Sequence, residues 1–146
     1  MDHVVYLDAK AGELENLLSG AKSMIIRGAA GRKMPYGRVE VGDHLYFINN
    51  NAEGTIRAKA SVNTVLNSDK MDQEQSVAFV RENQDKLKLT DKQFQRWAGK
   101  RYLVLIEVEN VIELKPFEID RSNYGNMDDW LPVKDINKVN ISFTGG

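Results

Sequence analysis

Five basic residues and no acidic residue lie between positions 22 and 38, the part of this 146-residue chain with the clearest chemical potential. The five are Lys22, Arg27, Arg32, Lys33 and Arg38. Guanidinium and ammonium groups bind phosphate, and the ring of Tyr36 among them could stack on a base. We therefore predict a phosphate-binding surface here. In the alternative interpretation these charges are solvated, or pair with acidic residues elsewhere to hold the fold.

The charge of the whole chain is close to neutral, with 20 basic and 21 acidic residues and a formal charge of −1. The acidic residues that balance the basic segment are concentrated in residues 103–129, which include seven acidic and two basic residues. Net charge cannot drive nucleic-acid binding in such a protein, so any binding must come from a local patch. The acidic segment also leaves open a regulatory domain that contacts a protein partner.

A second candidate binding segment covers residues 123–132. Its Tyr124 and Trp130 could line an aromatic pocket, in which Asn126 or the pair Asp128 and Asp129 reads the edge of a base. In the alternative interpretation Trp130 anchors the core, while Asp128 and Asp129 form turns or cap a helix. Adjacent residues of a strand point to opposite faces, which argues against a carboxylate dyad. We include Trp130 among the predicted ligand-binding residues.

Several chemistries are excluded by composition. The chain has no cysteine, so it has no disulfide, thiolate nucleophile or iron–sulfur ligand. Its two histidines are His3, near the terminus, and His44, on a strand predicted to be buried. A metal site would need carboxylates such as Glu107 and Glu109, which alternate onto one face of a strand. We expect no metal and no cofactor.

Hydrophobic spacing predicts the elements that position these residues. Leucines at helical spacing predict a first helix from about Ala9 to Ser19. A short strand over Ser23–Arg27 precedes the loop Gly28–Arg38, whose glycines and proline forbid regular structure. The apolar run His44–Ile48 and the strict alternation that begins at Thr55 predict a hairpin.

Two consecutive helices are predicted next. Asp72 with Gln75 and Thr90 with Gln93 have capping-box spacing, and the second helix should end near Gly99.

The remaining chain is predicted to form strands. Arg101–Glu109 is a long strand, Ile112–Ile119 bends at Pro116, and Ile141 with Phe143 suggests a closing strand. Clustered helices predict an α+β fold with a mainly antiparallel, strongly curved sheet or a small closed barrel.

These segments resemble the PUA-like superfamily of small β-barrels, and within it the ASCH group. Residues 19–27 are similar to the family pattern Gly-x-Lys-x-x-x-x-Arg after a leader helix, and 41–47 are similar to its Gly-Asp strand. A strand over 56–65, a helical insertion and a strand over 102–111 complete the likeness. The resemblance implies a pseudobarrel with a cleft between leader helix, basic loop and barrel wall. It also implies a role in binding RNA or modified nucleobases.

Some ASCH members resemble amidohydrolases that act on acylated cytidine through a Lys-x-x-Thr pair and a later glutamate. On this chain the lysine falls on Lys22, but the threonine position falls on Ile25, which has no hydroxyl. The glutamate would be Glu107 or Glu109. We therefore do not expect an enzyme of this type. The alternative is a small hydrolase of a modified nucleoside that uses Lys22, one of these glutamates and a water.

Our interpretation is a single domain over residues 1–146, with a PUA-like, ASCH-type mixed β-barrel, a leader helix and a two-helix insertion. Its expected partner is RNA or a nucleotide-like small molecule, held by Lys22, Arg27, Arg32, Lys33, Arg38, Tyr36 and Trp130. The N-terminus lacks the apolar core of a secretory signal, and no long apolar run occurs. We expect a cytoplasmic protein that does not contact membranes.

Overall fold

The strands form one curved sheet, with one helix at its end and the other helices on its outer face. The computed structural model describes residues 1–141. In chain order its elements are β1 (Asp2–Leu7), α1 (Glu13–Ser19), β2 (Met24–Ala29), β3 (His44–Asn49), β4 (Thr55–Asn67), α2 (Gln73–Glu82), α3 (Gln84–Leu87), α4 (Asp91–Trp97), β5 (Tyr102–Glu118) and β6 (Trp130–Lys134), followed by a 3-10 turn at Ile136–Lys138.

The sheet has the strand order β2-β5-β4-β3-β1-β6. β1 runs parallel to β3, and the other neighbouring pairs are antiparallel. The register between β4 and β5 shifts three times, and such bulges bend and twist a strand pair. The sheet therefore curls into a half-barrel, which confirms the predicted α+β class. Its two edges are β2 and β6.

The leader helix α1 closes one end of the curled sheet. Leu14 and Leu17 are buried, and both belong to the central core with Phe47 and Ile106. The helix begins at Glu13, later than predicted, because Asp8 caps a preceding turn by accepting a bond from the amide of Ala11 at 3.1 Å.

The helical insertion between β4 and β5 covers the outer face of the sheet. Both predicted capping boxes are present, at Asp72 and at Thr90. The first of the two helices predicted for the insertion is broken at Asn83, whose backbone is not helical. The insertion therefore contains three helices instead of two. A second core cluster, which includes Val80, Leu87 and Trp97, packs it against the sheet.

The parts of the fold that differ most from expectation are the two ends of the chain. β1 and β6, neither of which was predicted, pair with each other antiparallel. His3 is fully buried in β1, whereas His44, which was expected to be buried, is exposed at the start of β3. Ile141 is the last described residue, so Phe143 of the predicted closing strand lies outside the described residues. No helix within residues 1–141 is long and apolar enough to cross a membrane.

Candidate ligand-binding cleft

A cleft opens at the seam where the two edges of the curled sheet approach each other. Arg27 on β2 donates from Nη2 to the carbonyl of Tyr6 on β1 at 2.6 Å, and this bond closes the floor of the seam. Three adjoining cavities of about 140, 110 and 250 Å³ lie along it, and Asp129 lines all three. The seam therefore combines residues from β2, β1, α4 and the segment before β6.

Arg27 is the central residue of the cleft floor. It is 7% exposed, and Nη1 donates to the carbonyl of Ile26 at 2.8 Å. Its guanidinium carbon lies 5.8 Å from the ring centroid of Trp97 and 5.7 Å from that of Trp130, within the range of cation–π attraction. Two carbonyls and two indole rings thus fix the guanidinium in place before any ligand arrives.

The Nε of Arg27 is the one nitrogen of this side chain without a hydrogen bond. It lies 3.3 Å from Oδ2 of Asp129, an ion pair whose angle does not make a hydrogen bond. The side chain of Asp129 is 43% exposed, and no other residue in 1–141 donates to its carboxylate. A buried donor and an accessible acceptor therefore lie side by side at the centre of the cleft.

A buried chain of hydrogen bonds supports Trp130 from behind. Its indole Nε1 donates to Nδ1 of His3 at 3.1 Å, and Nε2 of His3 is 2.8 Å from Oδ2 of Asp43. Because Nδ1 accepts, the proton is on Nε2, which donates to Asp43. Burial lowers the pKa of His3, while the Asp43 carboxylate opposes that shift. The ring of Trp130 is thus held rigidly by a neutral imidazole.

A second buried charge lies close to the inner end of the cleft. Nζ of Lys22 is 3.2 Å from Oε2 of Glu13 and donates to the carbonyl of Leu87. The same carboxylate accepts from the amide of Asp8 at 3.1 Å and from Nε2 of Gln93 at 3.5 Å. Burial holds the pKa of Lys22 below its ordinary value, although Glu13 opposes the shift. Lys22 is only 2% exposed and makes its contacts inside the protein.

The two ends of the cleft differ in charge. The outer end is lined by the basic residues Arg27, Lys33, Arg96 and Lys100, with Asp129 as the one carboxylate. The inner end is lined by Arg27 and Arg96 and by three carboxylates, those of Asp8, Glu13 and Asp129. The outer end is therefore suited to an anion such as phosphate, and the inner end to a group rich in hydrogen-bond donors.

A cluster of rings and cations extends the outer end. The guanidinium of Arg32 lies 5.7 Å from the ring centroid of Tyr36 and 5.6 Å from that of Tyr102. The two tyrosine rings meet edge to face, with their centroids 5.6 Å apart. The hydroxyl of Tyr36 donates to the carbonyl of Ser68 at 2.5 Å. Arg32 itself is exposed, so its charge faces solvent.

The fold is similar to that of known structures. The chain matches the crystal structure of ASCH from Zymomonas mobilis with a TM-score of 0.65 and 12% identity, over 88% of this chain and 85% of that one. Two point-mutant proteins of ZmASCH match with the same score and 13% identity, over 88% of this chain and 87% and 85% of theirs. The chain has an ASCH-type fold. No family model and no curated protein matches the sequence.

The ASCH-type fold brings together some of the predicted binding residues. Arg27, Lys33 and Trp130 line the cleft, and Arg32 and Tyr36 form the adjoining cluster. Arg38 is exposed on the loop that follows. Lys22 is separated from this surface by its burial against Glu13. The rings of Tyr36 and Trp130 already pack on guanidinium groups, so neither is an open stacking platform.

The residues of the alternative hydrolase are not assembled around Lys22. Glu107 instead accepts from Nζ of Lys86 at 2.6 Å and from Asn63 at 3.1 Å, and these bonds lower its pKa. Glu109 is exposed, and Ile25 is fully buried in the core of the ASCH-type fold. Among the described residues no group of three or more histidine, aspartate or glutamate side chains is arranged to hold a metal ion.

Sequence reasoning missed three contributors to the cleft. Arg96, Trp97 and Lys100 come from the end of the insertion. Trp97 packs there, and the exposed Arg96 covers its ring at 4.4 Å from the centroid. The available signal was a basic residue in the last turn of α4, Arg96, with a second one, Lys100, just after the helix. The positions of Arg96 and Lys100 in the sequence gave no indication that they lie near Arg27.

Proposed function

We propose that this protein binds single-stranded RNA or a free nucleotide in the seam cleft, with phosphate at the outer end and the base at the inner end. The observation that carries the proposal is the separation of charge along one cleft. Four basic side chains face one carboxylate at the outer end, whereas three carboxylates lie beside two guanidinium groups at the inner end. A nucleotide has the same division, since its phosphate is anionic and its base carries amino and imino donors.

The rigidity of the floor supports this proposal. Arg27 is held by two backbone carbonyls and two indole rings, so its position does not depend on a ligand. A binding group that is fixed in advance loses little conformational entropy when the ligand arrives. The exposed cations Arg32 and Arg38 give a following strand further phosphate partners.

The resemblance to the ASCH group supports the same class of partner. That resemblance implies RNA or nucleobase binding, and the solved structures share the fold over 88% of this chain. In such proteins single strands are bound by basic grooves and by contacts to exposed base edges. The narrow seam, which is floored by packed side chains, favours a single strand over a duplex.

Fluorescence anisotropy with labelled single-stranded RNA, single-stranded DNA and duplex RNA, each at two salt concentrations, tests the proposal. We expect RNA binding that weakens as salt rises, with the single strand preferred to the duplex. The double variant Lys33→Ala/Lys100→Ala should weaken binding and flatten the log–log salt slope by about 1.4, the value for two phosphate contacts on a single strand.

The matched control is the double variant Lys115→Ala/Lys138→Ala, which removes two exposed lysines outside the cleft. It changes the net charge of the protein by the same amount. It should therefore reproduce any loss of affinity that comes from net charge alone, and leave the salt slope unchanged. Equal losses in the two double variants would assign binding to overall charge. No binding of any oligonucleotide or mononucleotide would overturn the proposed function.

A further inference from the structure

The Arg27 and Asp129 pair offers an incomplete set of hydrogen bonds to the cleft. Nε of Arg27 is buried and has no hydrogen-bond partner, although Oδ2 of Asp129 is 3.3 Å away. Within residues 1–141 no donor is bonded to the carboxylate of Asp129. A buried polar group left without a hydrogen bond destabilises the protein, so a ligand that supplies the missing partner gains affinity from it.

We infer, building on the proposed function, that Arg27 and Asp129 together bind the edge of a guanine base. Guanine presents an acceptor, O6, directly beside two donors, N1–H and N2–H. Nε–H of Arg27 would donate to O6, and the two oxygens of the Asp129 carboxylate would accept from N1–H and N2–H. The edge and the pair therefore match in all three bonds.

The other bases satisfy this pair less completely. Adenine presents one donor group beside one acceptor, and cytosine and uracil each present one donor group with two acceptors. None of them has the two adjacent donors of guanine, so one carboxylate oxygen stays without a bond. A site built to bond a particular polar group discriminates strongly against an analogue that lacks it. The fixed position of Arg27 adds to this selectivity, because its two Nη groups are engaged by Ile26 and Tyr6 and cannot turn to a different base.

The surroundings of the pair agree with a base rich in donors. The carboxylate of Asp8 lines the same inner end of the cleft, beside the guanidinium groups of Arg27 and Arg96, and adds an acceptor for amino or imino groups. Met127 is 95% exposed at the outer end beside Met34, where flexible thioether side chains can cover an aromatic base. The phosphate of a guanine nucleotide would then reach Lys33 and Lys100.

Labelled 11-residue oligouridines that carry one central G, inosine, A or C test this inference by anisotropy. We expect the central G to bind about tenfold tighter than A, C or all-uridine, in line with one good paired contact. Inosine keeps O6 and N1–H but lacks the N2 amino group, so its affinity should lie between those of G and A. Competition by GMP against UMP separates a free nucleotide from an RNA strand as the source of the base.

The discriminating variant is Asp129→Asn, which keeps the shape of the side chain but replaces one acceptor oxygen by a donor. It should reduce the preference for G to about twofold or less, while binding of the all-uridine strand is retained. Asp85→Asn, at an exposed aspartate on α3, removes the same charge and should leave the preference unchanged.

Equal affinity of the wild-type protein for the four central bases would overturn this inference and leave the proposed function standing. An undiminished preference for G in Asp129→Asn would overturn it as well. Absence of binding to every strand and mononucleotide would instead overturn the proposed function. Circular dichroism and urea unfolding of each variant confirm that the comparison is made between folded proteins.

Discussion

Lys22 and Arg27 lie five residues apart, carry the same charge and are both buried, yet they occupy different electrostatic situations. Each faces one carboxylate at nearly the same distance, 3.2 Å for Lys22 to Glu13 and 3.3 Å for Arg27 to Asp129. Glu13 is 5% exposed and accepts two further hydrogen bonds. The side chain of Asp129 is far more exposed, and its carboxylate accepts no hydrogen bond from the described residues.

The contrast shows that the distance of an ion pair does not distinguish a structural role from a ligand-binding one. The discriminating property is whether the partner carboxylate still has an unused acceptor that solvent or a ligand can reach. The pair of Lys22 is enclosed by the protein, so its loss should affect folding. The pair of Arg27 opens into a cleft, so its loss should affect binding.

The largest expected effect comes from breaking the enclosed pair. Glu13→Gln leaves the buried Lys22 without its carboxylate, and loss of one partner of a buried ion pair costs about 3–5 kcal/mol. Urea denaturation of the variant and the wild type measures this change. Glu107→Gln, which breaks the more exposed pair with Lys86, should cost no more than about 1 kcal/mol. Equal costs would show that burial does not separate the two pairs.

The pH dependence of the same variant provides a second test. Burial already lowers the pKa of Lys22 below 10.5, and Glu13 partly restores it, so Glu13→Gln should lower the pKa of Lys22 further. Below pH 10.5 the unfolded chain then binds a proton that the folded variant binds more weakly. Stability must therefore rise with pH, and more steeply in Glu13→Gln than in the wild type. Urea denaturation at pH 7 and pH 9.5 measures the difference, and equal slopes would contradict it.

His3 is a second buried titratable group, and we expect it to have a smaller effect on the free energy of unfolding, at acidic pH. Burial places its pKa below 6.5, so the unfolded chain binds more protons below that pH and acid destabilises the fold. The free energy of unfolding should fall from pH 6.5 to pH 5 by at most about 1.4 kcal/mol per pH unit, the limit for one proton. His3→Gln should flatten this part of the profile in urea denaturation. An unchanged slope would assign the acid sensitivity to another group.

The elements that were predicted correctly depend on neighbours in sequence. The β3–β4 hairpin follows from the alternation after Thr55, and the capping boxes at Asp72 and Thr90 follow from a three-residue spacing. β1 and β6 were missed because their pairing joins the two ends of the chain. β6 also contains Pro132, which is unfavourable within a strand. The buried His3 was overlooked because its partners, Asp43 and Trp130, lie 40 and 127 residues away.

The same limit applies to the cleft. Arg27 and Lys33 were identified from the run of basic residues. The position of Arg27 in the cleft, however, depends on contacts with Tyr6, Trp97 and Asp129, which belong to separate parts of the chain. No spacing rule relates such residues. Lys22 shows the converse, since a basic residue in the expected motif is removed from the surface by one buried glutamate. A run of basic residues in the sequence predicts a basic surface. Whether each of those residues already has all its hydrogen-bond partners within the protein has to be determined from the structure.

The smallest change in stability is expected for Asp129→Asn, and this variant tests the comparison of Lys22 with Arg27 most directly. Asp129→Asn is the same chemical change as Glu13→Gln, made at the open pair. Solvent screens the exposed carboxylate, and the backbone carbonyl of Asp129 keeps its bond from the amide of Tyr6, so the cost should stay below about 1 kcal/mol. Urea denaturation of the two variants side by side measures both. A loss as large as that of Glu13→Gln would place Asp129 among the residues that hold the fold, whereas a small loss together with changed base preference would assign it to the ligand.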